Sequence, residues 1–147
     1  MSIAFQSPQE LFDECVGHVL KQGRAAVVES FDDSGAVVTS SCVYLSPDGL
    51  SCAMGGPIVK RGLYEPWMEM KTIEHEALSK VRWALGITDG TMLALARKLQ
   101  SAHDEAQSEG ERFGCNFLDS FRVKAENVAA RFGLSAAILS ETEGEKV

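Results

Sequence analysis

Apolar positions along the first third of the chain follow two different rhythms. Leu11, Phe12, Cys15, Val16 and Val19 keep the three-and-four spacing of a helix with one buried face. Ser7 as N-cap, Pro8 at the first helical position and Glu10 completing a capping box mark its start. Gly23 supplies a left-handed terminator, so the helix should end near Gln22. From Ala25 to Ala53 the rhythm shortens: AAVVES, GAVVTSSCVYL and LSCAM are β-branched runs separated by D-D-S-G and S-P-D-G. They predict a three-stranded meander whose second turn, Ser46 to Gly49, is type I. A four-residue loop there puts Cys42 and Cys52 on opposite faces, and a three-residue loop makes them diagonal neighbours on one face. The pattern leaves the choice open.

Residues 55–71, GGPIVKRGLYEPWMEMK, show no period and are expected to form a long connection. Thr72 then caps a second helix that buries Ile73, Ala77, Val81, Ala84 and Leu85 and ends at Gly86. A third helix follows Thr88 or Asp89 and buries Met92, Leu95, Ala96 and Leu99, with SAHDEAQSEGER fraying into a loop. A fourth carries Phe117, Leu118, Phe121, Ala125, Val128 and Phe132, closed by Gly133 with Leu134 set for a Schellman contact. The expected fold class is α+β: an N-terminal helix, a three-stranded antiparallel meander and three C-terminal helices packed on one face. Residues 1–140 form a single domain, and 141–147 an acidic disordered tail.

The 147 residues suffice for one core, and 45% hydrophobic with 24% charged residues is the balance of a folded globular chain. A net charge of -7 with no basic stripe argues against nucleic acid as a partner. No run approaches the roughly 18 apolar residues of a membrane span, and MSIAFQSPQE lacks a signal-peptide pattern, so the expected location is the cytoplasm. The four cysteines, at 15, 42, 52 and 115, form no C-x-x-C pair, which predicts buried thiols rather than disulfides. No cofactor and no metal is implied.

Candidate chemistry is sparse. His75, His103-Asp104 and Asp119 fall in the order used by HD-type metal phosphohydrolases. At about 100° per residue, however, His75 and Asp119 point about 135° to 140° away from their helices' apolar stripes, so the set should not converge. His103 lies in line with Met92, Ala96 and Leu99, on the buried side. Two thiol and imidazole pairs are conceivable, Cys52 with His103 and Cys15 with His18, and either would support a small thiol or metal enzyme. Lys60 and Arg61 could hold the phosphate of a sequestered nucleotide. Trp83 breaks its local rule, lying about 145° from the apolar stripe of its helix. With Tyr64, Trp67, Met68 and Met70 on the preceding connection it predicts a binding surface for a protein partner.

The segments SPQELFDECVGHVLKQG, CVYLSPDGLSCAMGGPIV, YEPWMEMK, LARKLQSAHDEAQ and FLDSFRVKAENVAARFGLS together resemble a group of small uncharacterised phage and prophage proteins. The shared elements are G-L-S-C-A-M-G at Gly49 to Gly55 and Q-S-A-H-D at Gln100 to Asp104. L-S-P-D replaces the group's basic turn, and Gly-Pro-Ile follows the Ala-Met-Gly. The resemblance brings no catalytic residues. It implies a non-enzymatic accessory protein that binds a host protein in the host cytoplasm, for instance as an inhibitor of a bacterial defence system. Oligomeric state is left open.

Overall fold

The computed structural model describes residues 4–144 and shows a mostly helical protein. Helix α1 (Pro8–Gln22) begins and ends where its signals lie. Ser7 Oγ accepts from the Glu10 amide at 3.2 Å, and Gly23 closes the helix at φ 79°. One two-stranded antiparallel hairpin follows, β1 (Val27–Phe31) paired with β2 (Val37–Cys42) from Val27 opposite Cys42. Its turn is held by Asp32, whose Oδ1 accepts from the amides of Ser34 and Ala36.

The three-stranded meander is not formed, and the α+β class with helices over one sheet face is therefore corrected. The expected third strand is reduced to a single bridge, Leu45 with Ser51, after which the chain coils into helix α2 (Gly55–Lys60). Packing explains the departure. The Gly55 amide donates to Cys52 Sγ at 3.2 Å and the Gly56 amide to Cys52 O at 3.0 Å, turning the backbone out of the extended state. The two glycines then let this turn sit hard against its neighbours. A Cβ on Gly55 would lie 2.1 Å from Tyr44 O, and one on Gly56 2.5 Å from the His18 ring. The stretch expected as an unstructured connection thus holds α2 and a 3₁₀ turn at Pro66–Met68.

Thr72 does not cap the next helix. A 3₁₀ turn at Glu76–Leu78, capped by His75, leads into α3 (Ser79–Leu85), and Ala77 is exposed where Leu78 takes the buried position. Helix α4 (Gly90–Phe113) is capped by Asp89 and runs straight through the segment expected to fray. Ala102, His103 and Ala106 continue its buried stripe, so the polar residues that suggest a loop occupy only its outer face. Helix α5 (Phe117–Phe132) packs antiparallel beside α4 and ends in the anticipated Schellman cap, with the Leu134 amide donating to Ala129 O at 2.8 Å. Helix α6 (Ala137–Gly144) begins before residue 141 and carries into the stretch read as a tail, while residues 145–147 lie outside the described residues. Helix α1 is the hub, with contacts to α2, α4, α5 and α6, and Leu11, Phe12, Cys15, Val16 and Val19 are all fully buried.

Candidate functional site

Two features stand apart from the core. The first is a cavity of about 270 Å³ between the end of β2, residues 69–74 and the face of α4. Cys42 and Cys52 both line it. Asp104 sits at its α4 wall and gathers hydrogen bonds. His103 Nδ1 donates to Asp104 Oδ1 at 3.0 Å, Gln100 Nε2 donates to the same oxygen at 3.0 Å, and Cys42 lies within hydrogen-bonding reach of the carboxylate.

His103 itself is fully buried. Its Nε2 accepts from the Ala26 amide at 3.3 Å, which fixes the neutral tautomer with the proton on Nδ1 and ties the start of the hairpin to α4. Gln100 extends the network by accepting from the Met54 amide at 3.2 Å through Oε1. The ligating atoms of Cys42, His103 and Asp104 all fall within 4.8 Å of one another.

The predicted thiol and imidazole pairs do not form. Cys15 Sγ contacts Met54 Sδ at 3.7 Å, while His18 Nε2 turns to Ser51 O at 3.1 Å. Burial raises the Cys15 thiol well above its ordinary range and lowers the His18 pKa. Cys52 contacts the Gly55 amide and Gln100 rather than His103, and burial pushes its thiol up to about 12. The thiol beside His103 is Cys42, also raised by burial and by the Asp104 charge. Both cavity thiols are therefore protonated at neutral pH, which disfavours a thiolate nucleophile. The fourth cysteine, Cys115, is exposed, contrary to the expectation of buried thiols. The HD-type set is dispersed: His75 is an exposed cap accepting from the Ala77 amide, and Asp119 is exposed in the first turn of α5. Arg61 is engaged bidentately by Glu14 and lies 4.8 Å over the Phe5 ring, so it does not present a phosphate site with Lys60.

The second feature is a set of exposed apolar side chains between residues 67 and 83. Trp83 is 76% exposed, Met70 92% and Trp67 46%. Of the other residues predicted there, Met68 is fully buried in the core, and Tyr64 is half-buried with its hydroxyl donating to Glu69 Oε2 at 2.8 Å. These two leave the predicted surface. Met70 has φ 69°, a left-handed conformation unfavourable for a residue with a Cβ. Its neighbours impose it. Glu69 accepts from the amides of Tyr44 at 2.9 Å and Leu45 at 3.1 Å, where the β2 ladder has ended. On the other side the Tyr44 hydroxyl donates to Lys71 O at 2.7 Å. With both flanking residues clamped, Met70 projects outward at the cavity rim. Its positive φ leaves no trace in the sequence, because the clamp is made by residues 24 to 27 positions apart.

No helix among the described residues is long and apolar enough to cross a membrane. Comparison with protein-family models, curated proteins and solved structures finds no match to this chain.

Proposed function

We propose that the protein is a non-enzymatic binding protein that docks on another protein through Met70, Trp67 and Trp83. The observation that supports this is Met70: the chain holds a methionine in a disfavoured backbone conformation with its side chain almost wholly in water. Backbone strain of this kind persists where the surroundings over-determine it, and here it holds an apolar side chain in water, to which Trp67 and Trp83 add two partly or largely exposed indoles. Methionine and tryptophan are the residue types enriched at the centres of protein interfaces. The resemblance to phage and prophage proteins makes a host protein the partner class this reading favours, and interference with a host defence system the matching role.

A photo-crosslinking amino acid in place of Trp83, with one in place of Glu126 on α5 as control, tests the reading in the cell of origin. Discrete adducts with one protein from position 83 alone, lost on adding Met70→Gly, are expected. Identical adducts from both positions, or none from position 83 in folded protein, would refute it.

A further inference from the structure

We propose that Cys42, His103 and Asp104 form a site for one thiophilic divalent ion of the zinc class, with an open coordination position facing the cavity between β2 and α4. Three observations converge on it. Sulfur, imidazole and carboxylate ligands arrive from two different elements, the end of β2 and the middle of α4, with ligating atoms within 4.8 Å of one another. That mixture suits zinc or cobalt and not magnesium or calcium, which prefer all-oxygen sets. One thiolate and one carboxylate balance the two positive charges of the ion, so the half-buried site becomes neutral on binding. Finally, the outer shell is built: Gln100 holds Asp104 at 3.0 Å and is itself fixed by the Met54 amide, as expected for a group that orients a ligand.

The proton balance is specific. In the metal-free protein the protons sit on Cys42 Sγ and on His103 Nδ1. Coordination through sulfur expels the Cys42 proton to solvent. Coordination through Nδ1 shifts the imidazole proton to Nε2 and leaves the ring neutral, so one proton is released per ion. Nε2 then faces the Ala26 amide, donor against donor, at a separation of 3.3 Å in the metal-free arrangement. Ion binding therefore frees the Ala26 amide and loosens the anchor between hairpin and α4, an effect that an ion bound loosely to surface groups would not produce.

The test uses the full chain carrying Cys115→Ser, which removes the exposed thiol. After treatment with a chelator it is titrated with cobalt(II), then with zinc(II), with magnesium as the negative arm. Expected are one equivalent of cobalt with a thiolate-to-metal charge-transfer band, displacement by zinc, one proton released per ion, and faster hydrogen exchange at Ala26. Cys42→Ala and Asp104→Asn should abolish the band, and Gln100→Leu should weaken binding about 10- to 100-fold. Should those variants fail to fold, zinc protection of Cys42 from alkylation in the parent chain decides. A folded protein that takes up no equivalent of cobalt or zinc, binding that survives Cys42→Ala, or alkylation of Cys42 at the same rate with and without zinc, would overturn the proposal.

Discussion

Replacing Met70 with glycine separates strain from packing at the proposed docking edge. The left-handed conformation costs a residue with a Cβ about 1–2 kcal/mol, a cost that glycine does not bear. Against this, glycine gains freedom in the unfolded chain worth about 0.4–1 kcal/mol. The methionine is 92% exposed, so its loss removes almost no buried area. The balance is neutral to stabilising, centred on about +0.8 kcal/mol and at most about +1.6. For a chain of this size that corresponds to a rise in Tm of about 1–5 °C. Urea denaturation with an unchanged m-value, alongside a thermal scan, reads the effect. Weaker association combined with undiminished stability is the signature of an edge held out for a partner. A loss of more than about 1 kcal/mol would refute the reasoning, because Met70 would then be packing against its own chain.

Other perturbations address the frame of the two features. Gly55→Ala places a methyl 2.1 Å from the Tyr44 carbonyl oxygen, and should cost at least about 1–3 kcal/mol by chemical denaturation. Thiol labelling of the native protein should modify Cys115 first and Cys42 more slowly, with Cys15 and Cys52 reacting only on unfolding. The Arg61 hydrogen bond holds the Glu14 carboxyl below its ordinary value. Because this pKa is depressed in the folded state, the stabilisation it gives is fully present above the unfolded value near 4.5 and is lost as pH falls through the folded one. Glu14→Gln should therefore flatten the acid limb of a stability-versus-pH profile below about pH 4.5 while lowering stability at pH 7.

The sequence made legible what local chemistry decides. Ser7, Gly23, Asp89 and Gly133 mark helix ends because a cap satisfies backbone groups within a few residues. The solvent-facing position of Trp83 followed from helical phase alone, as did the buried position of His103. What failed depended on distant partners. GGPIVK has the composition of a loop, and becomes helix α2 because Tyr44 and His18 press on its two glycines. In α4, the small residues Ala102 and Ala106 carry too little hydrophobic signal to outweigh the polar outer face, although both are buried. The thiol that meets His103 is Cys42 and not the expected Cys52, and only the tertiary fold brings both cysteines to the wall of one cavity. Gln100, four residues before Asp104 and hence on its side of α4, was the available sign that this helix face carries a polar network.

Trp83 is the most direct probe of the proposed docking surface. The chain has two tryptophans, so Trp67→Phe isolates its fluorescence. At 76% exposure its emission should match that of free tryptophan in water, with full access to acrylamide, and should shift to shorter wavelength when the partner binds. A blue-shifted emission shielded from acrylamide in the isolated protein would place this indole inside the fold and remove the docking edge.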